Sequence, residues 1–190
     1  MNFMQANLVR VIPMCLACAA LAHAGPVTIG GLWYEFYFTG VGSQVQMCSV
    51  TNAGCVPSPS SNSSFAPDPP WTFTAPANGA ILTVTDVQKP GTSFDIFDFG
   101  KKIGSTPQVS GSQEDCGIDP VPCLADPRWS HGAFTLGSGA HSITISTNAS
   151  FFGQGLGYFR LDAAGAQTPA IASINAQFGN AAHLAADKHR

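Results

Sequence analysis

Leu82-Thr83-Val84-Thr85 and Phe94-Asp95-Ile96-Phe97-Asp98-Phe99 decide the fold, because apolar and polar residues alternate along both. A period of two sends successive side chains to opposite faces, so each stretch reads as a strand with one buried face. Trp71-Thr72-Phe73-Thr74, Phe134-Thr135-Leu136 and Ile143-Thr144-Ile145 keep the same period, and Tyr158-Phe159-Arg160-Leu161 closes the series. Upstream, the aromatic run Trp33-Tyr34-Glu35-Phe36-Tyr37-Phe38 is strand-like, with Val45 to Val50 as its neighbour. Lys89-Pro90-Gly91, Phe99-Gly100, Gly137-Ser138-Gly139 and Gly153-Gln154-Gly155 are turn signals between these runs. About eight or nine short strands at this spacing predict an all-β chain, an antiparallel β-sandwich of jelly-roll type. Ile81 to Thr106 reads as one hairpin, with Asp86, Asp95 and Asp98 on its solvent face. The Pro, Ser and Asn stretch from Pro57 to Pro70 reads as a surface loop.

Composition narrows the class further. The chain has 190 residues, 45% of them hydrophobic, enough for a sizeable core. Only 10% are charged, against about 25% in an ordinary soluble domain. The 20 glycines and 14 prolines fit a turn-rich β chain. A net charge of −3 with 8 Lys and Arg argues against a nucleic-acid-binding surface or a polybasic membrane patch.

The first stretch reads as an export signal. Arg10 precedes an apolar run, Val11 to Ala22, which is too short to span a bilayer and is interrupted by Pro13. The run ends in Ala22-His23-Ala24, small residues where a signal peptidase inspects the chain. Residues 1–24 are therefore expected to be a signal peptide, with Gly25 beginning a mature chain of 190 − 24 = 166 residues, secreted or periplasmic and without a membrane span. A lipoprotein signal with Cys18 lipidated is the alternative, disfavoured by Cys15 where such a signal has Leu. Residues 25–162 form the predicted sandwich. The Ala-rich tail, 163–190, carries Ile171, Ile174 and Phe178 near a helical spacing, and a short helix is expected there.

Losing the signal leaves four cysteines, equally spaced as Cys48-x6-Cys55 and Cys116-x6-Cys123. Each pair encloses a segment rich in turn residues, so the expected disulfides are Cys48–Cys55 and Cys116–Cys123, each contributing about 2.5 kcal/mol by chain entropy. A four-cysteine zinc site would want shorter knuckles and a reducing compartment.

Two binding constellations are candidates. Asp115, Asp119 and Asp126 cluster around the second cysteine pair and have the chemistry to hold calcium, though not at EF-hand spacing; their plainer role is to fix turns. Calcium is the only cofactor this pattern suggests. Trp71, Trp129 and Tyr158 lie beside loops, where flat aromatic faces stack on sugar rings; the plainer reading is core. For catalysis the sequence motivates no residue. Neither a G-x-S-x-G elbow nor an H-E-x-x-H motif occurs, and His131 and His141 read as hydrogen-bonded or surface histidines. Asp98-Phe99-Gly100 lacks the other kinase motifs. Gly153-Gln154-Gly155-Leu156-Gly157 leads into a strand instead of a phosphate-binding helix.

The block Ile81–Asp86, Phe94–Gly100, Ala125-Asp126-Pro127-Arg128-Trp129-Ser130-His131-Gly132 and His141–Ile145 resembles uncharacterised secreted bacterial proteins of the PEP-CTERM-associated exported type, which have fungal secreted relatives. The resemblance covers roughly Ile81 to Asp162. It implies a β-sandwich outside the cytoplasm in an envelope or exopolysaccharide setting, and no established reaction. The Pro-Glu-Pro triplet and apolar helix of the sorting signal are missing after Asp162. The expectation is a non-enzymatic exported module with a surface, matrix or carbohydrate-binding role, its partners extracellular polysaccharide or cell-surface components. The alternative is a polysaccharide hydrolase using carboxylates of the 114–126 loop or Asp86, Asp95 and Asp98, which needs two facing acids.

Overall fold

A computed structural model of the chain describes residues 25–51, 54–56, 58 and 62–165. The expected signal peptide and tail helix lie outside these residues. Two sheets face each other. In the first, β1 (Gly25–Pro26), β5 (Trp71–Ala75), β10 (Gly139–Ser150), β7 (Thr92–Asp98) and β8 (Lys101–Ser105) run side by side in that order. In the second the order is β3 (Gln46–Met47), β2 (Trp33–Phe38), β11 (Gly155–Ala163), β6 (Ala80–Asp86) and β9 (His131–Leu136). A short β4 (Ser63–Phe65) pairs in parallel with Trp33–Glu35, while β3 pairs with Phe36 and Tyr37. The two short strands thus share one edge of β2. The fold is the all-β sandwich that the alternation predicts; this strand order does not establish the jelly-roll connectivity.

Alternation becomes a core as expected. Phe36, Phe94, Ile96, Leu82, Val84 and Leu161 point between the sheets and are fully buried. Trp71 from one sheet lies 4.3 Å from Phe159 of the other, and Phe36 meets Phe94 edge-on at 5.2 Å. Such ring pairs add roughly 0.5–1.5 kcal/mol each beyond the area they bury. Gly157 makes room for them, since a Cβ there would lie 2.4 Å from the Phe36 ring. A second cluster covers the outer face of the other sheet, where Trp33, Leu156 and Tyr158 pack with Val87, Trp129 and the disulfides.

The disulfides are Cys48–Cys55 and Cys116–Cys123, as the spacing predicts. Several local expectations are corrected. Ile81 to Thr106 is not one hairpin: β6 and β7 belong to different sheets, and the hairpin is β7–β8, turned at Phe99-Gly100. Both turn residues have positive φ (47° and 75°), the geometry that matches strand twist in a two-residue hairpin loop. Because β6 crosses over, Asp86 lies on the inner side, only 1% exposed, instead of facing solvent. Within the proline-rich stretch, Ser63–Phe65 is drawn into a strand by the free edge of β2. Val45 to Val50 yields only the two residues of β3, since Val45 donates its N–H to Ile145 of the opposite sheet. The second disulfide loop contains a short helix, α1 (Pro120–Ala125), with proline at its start and Asp119 as its N-cap.

Candidate binding site

One end of the sandwich is organised by the turn from β6 to β7. Asp86 accepts the backbone N–H groups of Val87 and Thr92, both at 3.1 Å, and its own N–H donates to Ser130. Burial drives the Asp86 carboxyl well above its ordinary pKa, and the two backbone donors offset that only in part. The next turn residue, Gln88, has φ 61°, a conformation that side chains with a Cβ rarely adopt. Its N–H donates to the Gly117 carbonyl at 2.8 Å; its carbonyl accepts from the Cys116 N–H and the Trp129 indole N–H, each at 2.9 Å. The Cys116–Cys123 loop therefore holds the strained turn through two backbone hydrogen bonds, and Trp129 adds a third.

Beside this turn stands the connection from β10 to β11, which crosses from the first sheet to the second. Phe151 donates its N–H to the Gly91 carbonyl and packs where a Cβ on Gly91 or Gly111 would sit, at 2.9 and 2.3 Å. Next to it Phe152 carries the Lys89 ammonium 5.2 Å from its ring centre, and Lys89 also donates to Gln113 at 2.7 Å. Between the two connections lies an open pocket of about 310 Å³, lined by Gln88, Lys89, Asp115, Phe152, Gln154 and Leu156 among others, with Asp86 at its wall. Two amides, an ammonium and a carboxylate thus surround aromatic and aliphatic carbon. A shallower groove beyond it is lined by Val109, Ser110, Ser112, Glu114 and Arg128, where Arg128 is held by Glu114 and Asp126.

Apart from Asp86 and Asp115, the residues singled out in the sequence fall elsewhere. Trp71, Trp129 and Tyr158 are 0%, 2% and 0% exposed, so none presents a ring face to a ligand, and the expected stacking platform is corrected to core. Trp71 spends its indole N–H on the Pro67 carbonyl and Trp129 on Gln88. The three candidate calcium ligands are not gathered. Asp115 accepts the Gly117 N–H, Asp119 caps α1 through Val121, and Asp126 binds Arg128. Among the described residues no group of three or more His, Cys, Asp or Glu is placed to hold a metal ion. The strand acids are separated too. Asp95 pairs with Lys102 at 2.9 Å, and Asp98 with His141 at 2.8 Å, at the end of β7 remote from Asp86. His141 also contacts the Gly137 carbonyl, and His131 the Trp129 carbonyl. Of all the acids considered, only Asp86 and Asp115 meet at one pocket.

Gln88, Lys89, Phe152 and Gln154 were not legible as a site. Their signal was two turn segments, Lys89-Pro90-Gly91 and Gly153-Gln154-Gly155, whose meeting depends on which strands are neighbours in space. Compared with known protein families, curated proteins and solved structures, the chain shows no significant match. Among the described residues no helix is long and apolar enough to cross a membrane.

Proposed function

We propose that this chain is an exported, non-enzymatic carbohydrate-binding module whose site is the pocket at the β6–β7 end. The observation carrying the reading is Gln88. A non-glycine residue in the left-handed region costs on the order of 1–3 kcal/mol, and such strain is retained mainly where a side chain must be aimed. Here a disulfide loop is clamped onto the strained turn, and the turn borders the pocket. The lining suits a neutral sugar: amides and a carboxylate for hydroxyl groups, and the Phe152 ring for the apolar ring face. The charges of Lys89 and Asp115 offset each other. Export, with action on extracellular polysaccharide or cell-surface components in an envelope setting, belongs to the same proposal, supported by the leader-like residues 1–24, by two disulfides and by the family resemblance.

The hydrolase reading draws on the same pocket, because Asp86 and Asp115 both border it. Against it, both Asp86 oxygens are committed to the turn's backbone. Affinity electrophoresis through gels containing a β-glucan, a galactomannan or alginate separates the readings. Retardation by a neutral polymer, abolished in Phe152→Ala, is expected. Free migration in every gel overturns the binding proposal, and release of new reducing ends replaces it with the hydrolase.

A further inference from the structure

Gly25 is buried at the edge of the first sheet, and its backbone nitrogen faces two carbonyl oxygens at once: Asp68 at 3.0 Å and Pro70 at 3.1 Å. A peptide nitrogen has one hydrogen to share between them. An α-ammonium has three. The same residue admits no side chain, since a Cβ would lie 2.5 Å from Pro67 and 2.7 Å from the Asp68 oxygen. The next residues run parallel to β5, with Gly25 beside Trp71, Pro26 beside Thr72, and the Val27 N–H on the Thr72 carbonyl. Pro26 has no N–H, which suits an edge position.

We infer that the Asp68 and Pro70 carbonyls form a receptor for the α-ammonium created when the chain is cut between Ala24 and Gly25, so that processing completes the edge of the sheet. This rests on the export reading of residues 1–24. In the cut, water hydrolyses the Ala24–Gly25 amide: its hydroxyl joins the Ala24 carbonyl to give a carboxylate, and the Gly25 nitrogen leaves as the amine, protonated to the ammonium. The freed group then has a hydrogen for each carbonyl, and hydrogen bonds from a charged donor are about twice as strong as neutral ones.

The full chain is expressed in a bacterium with a general signal peptidase, and the exported protein is weighed intact. A mass beginning at Gly25 is expected. Export with cleavage elsewhere overturns the receptor while leaving export standing; recovery of the uncut chain overturns both. The exported protein is then treated at neutral pH with an amine-reactive acylating reagent, folded and in denaturant. At least tenfold slower modification of the Gly25 amine in the folded state is expected, and equal rates contradict the inference. A chain beginning with one extra Ala before Gly25 should melt about 4 °C lower; an unchanged melting temperature contradicts it as well.

Discussion

Glu35 on β2 and Tyr158 on β11 stand directly opposite each other in the ladder, 1% and 0% exposed. Val56, which follows Cys55 of the first disulfide, donates its N–H to the Glu35 carboxyl at 3.1 Å. Desolvation raises the Glu35 pKa from 4.5 to about 7, opposed by the Val56 N–H and by Tyr158. Burial first, and then the neighbouring Glu35 carboxylate, hold the Tyr158 hydroxyl above the usual phenol range. An acid thus sits buried beside the first disulfide, on the sheet face that carries the outer cluster.

A pH dependence follows with a definite sign. The folded state holds the Glu35 proton more tightly than the unfolded chain, so this group favours folding below about pH 4.5 and loses that advantage as pH rises through 7. Asp86 acts in the same direction. Glu35→Gln keeps an acceptor for Val56 and removes the charge. It should stabilise the protein by roughly 1–3 kcal/mol at pH 8 and leave it nearly unchanged at pH 4. Denaturant unfolding at the two pH values checks this; a variant less stable at pH 8 contradicts it.

Removing the second disulfide tests the clamp on Gln88. Cys116→Ser with Cys123→Ser should lower stability by about 2.5 kcal/mol from loop entropy. Calorimetry should register a fall in melting temperature of about 5–10 °C. Hydrogen exchange at the Cys116 and Gln88 amides should accelerate more than at the core strands, because those two N–H groups join the loop to the turn. Uniform acceleration across the chain would show that the loop is not the positioning element.

At Gln88 itself, stability and binding should part. Gln88→Gly relieves the positive-φ strain and should leave the fold unchanged or up to roughly 1 kcal/mol more stable, after glycine's own entropy cost. Retardation by polysaccharide should fall at least tenfold. A variant that binds normally would remove Gln88 from the site.

What was legible in the sequence was whatever depends on local period and spacing. Leu82 to Thr85 and Phe94 to Phe99 alternate because one face is buried, and the equal cysteine spacing closes loops short enough to pair internally. Membership of a sheet was not local. Asp86 follows its strand's alternation onto the inner face, but its acid character pointed to solvent, and only the crossing of β6 to β7 between sheets explains its burial. Trp129 and Tyr158 looked available beside loops, yet the disulfide loops fold over them. The pocket is the hardest case. Gln88 and Phe152 are far apart along the chain and meet because Phe151 hydrogen-bonds to Gly91 across two turns.

The central claim is tested most directly by titrating isotope-labelled protein with oligosaccharides of the neutral polymer that retards it, following backbone amide resonances. The account predicts saturable shifts concentrated at Gln88, Lys89, Asp115 and residues 152–154, lost in Phe152→Ala. Shifts centred on the groove of Val109, Ser112 and Arg128, or the same saturable shifts in Phe152→Ala, would contradict it.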